Sequence, residues 1–222
     1  MKNGIWRAVY LGLVLLLLVA LAGKWLWPGQ KEREESIRDD LRAYLPALVG
    51  TTFQFEGSGM EFASFSRRIT FAAPGLVQLE DLSGTNLAVV LEHRWDRLRL
   101  IYSEEEFYAE ESLLDEEQRR GRPGRSVDLV LLKAPLKVGT AWRDQNFQRE
   151  IVALDQVVEV PLGVFYDVVV VKSISHDAPE NVLYEYYAKN VGLIKREFLL
   201  LADGEPYSVT SSLKSISCPL AQ

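Results

Sequence analysis

Two stretches of this chain, LPALVGTTF (45–53) and APLKVGTAW (134–142), carry one phrase 89 positions apart: Pro-x-x-Val-Gly-Thr-x-aromatic. Its members are Pro46, Val49, Gly50, Thr51 and Phe53, then Pro135, Val138, Gly139, Thr140 and Trp142. Proline ends a preceding helix. Glycine reaches the positive φ at which a chain reverses or bulges. Threonine and an aromatic favour the extended backbone that follows. Each phrase therefore predicts a turn that opens a strand, with Phe53 or Trp142 as its first inward side chain. Two uses suggest two pseudo-repeats, 46–133 and 134–217. Independent use of a good turn is the competing explanation, because the halves align poorly beyond the phrase.

Outward from the phrase the hydrophobic period is two. TTFQFEG puts Phe53 and Phe55 on one face, and FSRRITF puts Phe65, Ile69 and Phe71 together with Arg67 breaking the face. WDRLRLIY predicts Leu98, Leu100 and Tyr102 inward and Arg97, Arg99 and Ile101 outward. Turn signals at 161–163, 177–181, 189–192 and 202–206 separate further strands, about twelve in all. Residues 103–117 read either as a helix capped by Ser103 with Glu106 at the third position, or as a turn, a short strand near Phe107 and a loop; the poor helical stripe favours the second. FYDVVVV and LYEYYA are apolar on both faces, so something must cover each side. The expected fold is mainly β: a large curved antiparallel sheet or open β-barrel, with a two-sheet sandwich as the alternative.

PLKVGTAW (135–142), REIVALDQVVEVPLGVFYDVVVVK (149–172), YYAKNVGLIKRE (186–197) and YLPALVGTTFQFEGSGMEFASF (44–65) together resemble a family of exported or membrane-anchored bacterial β-domains. Many of that family are lipoproteins of Gram-positive species. The similarity spans roughly residues 44–215. The resemblance implies an extracytoplasmic β domain and carries over no catalytic residue. The chain departs from it in having no lipobox cysteine; its one cysteine is Cys218.

A lipid anchor is replaced by an apolar N-terminus. Lys2 and Arg7 precede sixteen uncharged residues, and the stretch from Ile5 to Trp27 is broken only by Arg7 and Lys24. As a helix it would be roughly 34 Å long, enough to cross a bilayer. Residues 1–27 are thus expected to be a transmembrane signal anchor, N-terminus cytoplasmic and C-terminal domain extracytoplasmic. Cleavage near Ala22, giving a secreted protein, is the alternative. Residues 28–45 read as a charged stalk helix and linker with Ile37, Leu41, Tyr44 and Leu45 on one stripe. Residues 46–217 form the β domain and 218–222 a tail.

The composition excludes several chemistries. Of 25 basic residues, Lys2, Arg7 and Lys24 precede the domain; the 22 that remain face 31 acidic groups, a net charge near −9. That balance disfavours nucleic acid as a partner. A lone cysteine forms no internal disulfide. His93 and His176 are too few for a histidine-rich metal site. No Gly-x-Ser-x-Gly elbow, phosphate-cradling loop or EF-hand spacing occurs, and no cofactor is implied. The carboxylates Glu104, Glu105, Glu106, Glu110, Glu111, Asp115, Glu116 and Glu117 read as a solvated face; a cell-envelope hydrolase using them is the alternative function. The expected function is a non-enzymatic, membrane-tethered binding or interaction module, holding an apolar or lipid ligand in a concave sheet or meeting a cell-envelope partner. Trp142, Phe165, Tyr184 and Tyr186 are the candidate ligand-binding residues.

Overall fold

The computed structural model describes residues 40–202 and 205–219. The expected anchor and most of the stalk lie outside the described residues. Among the described residues no helix is long and apolar enough to cross a membrane.

Twelve strands form one antiparallel sheet: β1 (Thr52–Ser58), β2 (Phe65–Ala73), β3 (Leu76–Ser83), β4 (Thr85–His93), β5 (Arg97–Glu105), β6 (Arg125–Lys133), β7 (Ala141–Arg143), β8 (Phe147–Val160), β9 (Gly163–Ser175), β10 (Val182–Ala188), β11 (Gly192–Ala202) and β12 (Glu205–Ser217). Their order is β6-β5-β4-β3-β2-β1-β12-β11-β10-β9-β8-β7. The sheet is two six-stranded meanders joined where β1 pairs with β12. Consecutive strands β6 and β7 lie at its two free edges. Because those strands are linked by a short connection, the sheet must curl until its edges approach. The Trp142 indole N–H donates to the Val130 carbonyl at 2.8 Å, from β7 to β6. The result is a nearly closed barrel with a seam, and the sandwich alternative fails because no second sheet exists among the described residues.

Each meander opens on one of the two phrases, with the same local bonding. Gly50 and Gly139 both sit at φ +88°. The Gly50 N–H donates to Ile69 O and the Ile69 N–H to Thr51 O; the Gly139 N–H donates to Ile151 O and the Ile151 N–H to Thr140 O. A Cβ at Gly139 would meet nothing, whereas one at Gly50 would press on Pro219. Gly139→Ala is therefore expected to cost about 1 kcal/mol by backbone strain alone, and Gly50→Ala more. Equal losses in chemical denaturation would contradict the Pro219 contact.

The described end of the stalk is a 3-10 turn, Leu41–Tyr44, with Leu41 and Tyr44 buried. It spans one barrel end: the Leu41 N–H donates to Trp95 O beside β5, and the Asn190 N–H to Ala43 O beside β11. Of the expected stripe, Leu41 and Tyr44 are buried in this tighter form, while Ile37 lies outside the described residues; Pro46 leaves no room for another turn. The two-sided apolar strand β9 buries Val168 among Phe53, Phe55 and Ile194, and its neighbours Val169 and Val171 among Leu41, Trp142 and Tyr187. The chain itself covers both faces. Part of that cover is the long β8–β9 hairpin, bent at three register shifts until the Leu162 N–H reaches Leu213 O on β12.

Two sequence expectations need correction. Tyr102 does not share the inner face with Leu98 and Leu100. A bulge between Leu100 and Tyr102 turns it outward into a cluster with Ala88, Val90, Phe107 and Leu113. The acidic segment is not the capped helix, and of the turn, short strand and loop expected only the loop is found. Ser103–Glu105 completes β5, residues 107–115 form an irregular strap over the outside of β3–β5, and only Glu116–Arg119 make one helical turn. Phe107 and Leu113 are buried. Gln78 accepts from the Leu113 N–H at 2.6 Å and donates to Glu111 O at 3.1 Å.

Arg122 closes the strap by gripping Glu104 at 2.8 and 3.0 Å, while the Tyr102 hydroxyl donates to the same carboxylate at 2.7 Å. Burial, with Glu104 beside it, pushes the Tyr102 phenol up to about 12, so it remains a proton donor at neutral pH. The Arg122 hydrogen bond, then that of Tyr102, outweighs burial and holds the Glu104 carboxyl below its usual value of 4.5. A lowered carboxyl stabilises the fold above its unfolded value and loses that contribution as pH falls through the folded one. Stability should therefore fall between pH 6 and pH 3 by a larger amount in the wild type than in Glu104→Gln. Parallel denaturation curves at both pH values would refute this role.

Candidate functional site: an interior cavity

The curl of the sheet leaves a cavity of about 290 Å3 inside the barrel. β4, β5 and β6 contribute only leucine and valine to its wall, among them Leu87, Val89, Leu100 and Leu129. Tyr44 and Leu45 of the 3-10 plug meet it from one end. The remaining wall carries charge: Arg67 on β2, Asp81 on β3, Arg149 on β8, Glu185 on β10 and Arg196 on β11. Charge inside a barrel persists only when paired and hydrogen-bonded.

Arg67 and Asp81 are cross-strand partners and bond in a fork, Nε to Oδ1 at 2.7 Å and Nη2 to Oδ2 at 2.6 Å. Burial works against the Arg67 charge, but the charge and hydrogen bonds of Asp81 prevail and raise its pKa. The arginine that breaks the face in the sequence is thus half of an internal ion pair. Arg149 donates to Glu185 at 2.9 Å, and both side chains are at most 5% exposed. Arg196 approaches the other Glu185 oxygen at 3.6 Å and is 37% exposed. The buried phenol of Tyr187 sits within the field of this group; burial first, then Glu185, pushes its pKa up.

Three guanidinium groups face two carboxylates, leaving one positive charge in excess. Three buried polar atoms of this group and its neighbours have no hydrogen-bond partner in the protein: Arg149 Nε, Arg196 Nε and, beside the lining residues, Ser173 Oγ. Arg149 and Ser173 are cross-strand partners, so their side chains share a face. The two meanders place these residues alike. Arg67 and Arg149 each stand two residues before the isoleucine that bonds the glycine of the phrase, and their partners across the hairpin are Asp81 and Ser173.

A groove of about 540 Å3 runs along the seam, between β6 and the β7–β8 turn. Leu100 and Leu129 line both the groove and the cavity, so the two spaces share a wall at the seam. Arg149 lies over the Phe147 ring, a groove residue, at 5.3 Å.

The four aromatic candidates lie elsewhere. None lines the cavity. Trp142 ties the seam and packs with Leu41 and Leu136. Phe165 and Tyr186 pack against the cluster of Phe53 and Ile194, and the Tyr186 hydroxyl donates to Glu197 at 3.1 Å. Tyr184 is half-buried. On β10 it is the alternate residues Leu183, Glu185 and Tyr187 that meet the cavity. Arg149, Glu185 and Arg196 were missed because a charged residue in an alternating strand reads as the wet side; the one signal was Arg67 within an otherwise apolar face.

The other candidate groups of the sequence stand apart from the cavity. His93 lies at a strand end, and burial lowers its pKa. His176 accepts from Arg143 at 3.1 Å on the surface. Of the acidic run, Glu104 is bound to Arg122 and Glu105, Glu106, Glu110 and Glu111 are exposed. Cys218 is exposed. Among the described residues no three His, Cys, Asp or Glu side chains gather as a metal site.

No protein-family model matches the chain, and no curated protein matches it. Several solved structures resemble it, two of which follow. One is a Bacteroides fragilis protein with a YmcC-like fold, assigned as exported, at 16% identity and a TM-score of 0.46. The other is a Parabacteroides distasonis protein assigned as a lipoprotein, at 11% identity and a TM-score of 0.39. Each likeness covers 78% of this chain and 98% of the other. Both organisms are Bacteroidetes, not the Gram-positive species of the family resemblance.

Proposed function

We propose that this protein is a non-enzymatic binding module, tethered outside the cell membrane by residues 1–27, that holds a small amphiphile inside its curved sheet. The carrying observation is the cavity: all-aliphatic on β4–β6, with charged side chains on the other strands, and bordered by the seam groove. Its 290 Å3 is about twice the 150 Å3 that admits a benzene and stands near the lower end of ligand sites. That suits one medium-length acyl chain rather than a two-chain lipid. The charged, apolar N-terminal sequence supports the tether, with 28–45 as linker and plug, 46–133 and 134–217 as paired six-strand repeats, and 218–222 as a tail.

The full chain, purified in nanodiscs of one synthetic phospholipid, should release a retained single-chain molecule on native mass spectrometry. Val89→Trp, which fills the cavity, should lose it while keeping the wild-type circular dichroism. A wild-type protein with no retained molecule would refute the reading. A C-terminal reporter active in the cytosol would refute the topology.

A further inference from the structure

We infer that Arg149 and Ser173 hold the anionic head of the cavity's ligand, a carboxylate or a phosphate monoester; this rests on the binding reading above and specifies it. Three observations carry it. The first is the imbalance of charge: Arg67 is consumed by the fork with Asp81, while Arg149 and Arg196 share the single carboxylate of Glu185. Arg196, the third guanidinium, is 37% exposed and reaches Glu185 only at 3.6 Å, so an anion beside Arg149 would supply the carboxylate that the two arginines now divide. The second is the pair of unused donors. Arg149 is 3% exposed and Ser173 2% exposed, yet Arg149 Nε and Ser173 Oγ bond to no protein atom. Native proteins rarely leave such donors unused, and two on neighbouring strands of one face mark a shared acceptor. The third is position. Arg149 lines the cavity and stacks on Phe147 of the adjoining groove, so a head bound there leaves the chain to run along the leucines of β4–β6.

The paired repeat shows what the acceptor replaces. Across the hairpin from Arg67 stands Asp81; across from Arg149, at the matching place, stands Ser173. Arg67 is forked by the carboxylate at its cross-strand position. Arg149 has a hydroxyl at that position and meets Glu185 through one Nη alone, so a ligand carboxylate or phosphate would complete its fork at Nε.

The test uses the full chain in nanodiscs and three diazirine-tagged probes of equal length: decanoic acid, decyl phosphate and decanol. Peptide mapping should find at least one of the two anions on the inner positions of β4–β6, at least tenfold more heavily than decanol. Labelling by decanoic acid alone identifies a carboxylate head, and by decyl phosphate alone a phosphate; both support the inference. Ser173→Ala should cut anion labelling several-fold and leave decanol labelling unchanged, with no change in melting temperature beyond a few degrees. Arg149→Lys, which keeps the charge but not the fork, should do the same. Equal labelling by decanol and the anions would overturn the head assignment while leaving the cavity a binding site. No interior labelling by any probe would overturn both.

Discussion

Glu185→Ala should destabilise the domain by about 3–5 kcal/mol, because it strands two arginines that share one buried carboxylate. Arg149 is 3% exposed and cannot turn to solvent; Arg196, at 37%, can in part. Most of the loss therefore falls on Arg149. For a domain of this size the melting temperature should drop by roughly 6–20 °C. The comparison that isolates the cause is Arg149→Met combined with Glu185→Leu. Removing both charges and filling their volume should recover most of the lost stability, since a buried pair adds little over a well-packed apolar one. If the single variant melts like the wild type, the Arg149–Glu185 pair is not buried as described. If the double variant is no more stable than the single, the loss is one of packing and not of charge. The double variant should also fail to retain an anionic ligand, which separates the pair's structural role from its binding role.

Phe107→Ala should cost about 3–5 kcal/mol, the range for emptying a fully buried aromatic site. Phe107 is 1% exposed, fixed against Ala88, Val90, Tyr102 and Leu113, with the Arg122 guanidinium over its ring at 5.2 Å. Its neighbour Tyr108 is 71% exposed and serves as the control. Tyr108→Ala should fall within about 0.5 kcal/mol of wild type, as surface substitutions do. Hydrogen exchange adds a spatial readout: in Phe107→Ala the amides of 106–115 should exchange faster, while those of β9 and β10 on the other side of the barrel keep their protection. Equal denaturation midpoints for Phe107→Ala and Tyr108→Ala would show that the strap does not pack on the sheet.

The sequence showed strands readily where one residue in two is apolar. Phe53 and Phe55 are inward as expected, and the two glycine turns sit where the phrases put them. Parity was harder. On β5 the alternation places Tyr102 with Leu98 and Leu100, but a bulge after Leu100 reverses it. A bulge is an answer to long-range pairing and twist, and it leaves no consistent mark in local composition. On β10 the alternation offers the aromatic residues Tyr184 and Tyr186 as the ligand-facing side, while it is Glu185, which looks like a solvent residue, that meets the cavity. Glu185 is tolerated there only because Arg149, 36 residues earlier, meets it. Neither partner announces the other. The acidic run failed for a related reason: its charges suggest a solvated surface, yet two apolar side chains, Phe107 and Leu113, anchor it across Val90 and Ala88.

By itself the amino-acid order determined the pleated backbone, the turn that begins each half, and the apolar amount to be buried. These depend on side-chain alternation and on glycine and proline, all of which act over a few neighbouring residues. Only the tertiary structure decided that β1 meets β12, that the edges β6 and β7 curl to a seam, and that three arginines and two carboxylates share one cavity. Those outcomes depend on contacts between residues far apart in the chain, where a charge becomes an interior group only once its partner has arrived.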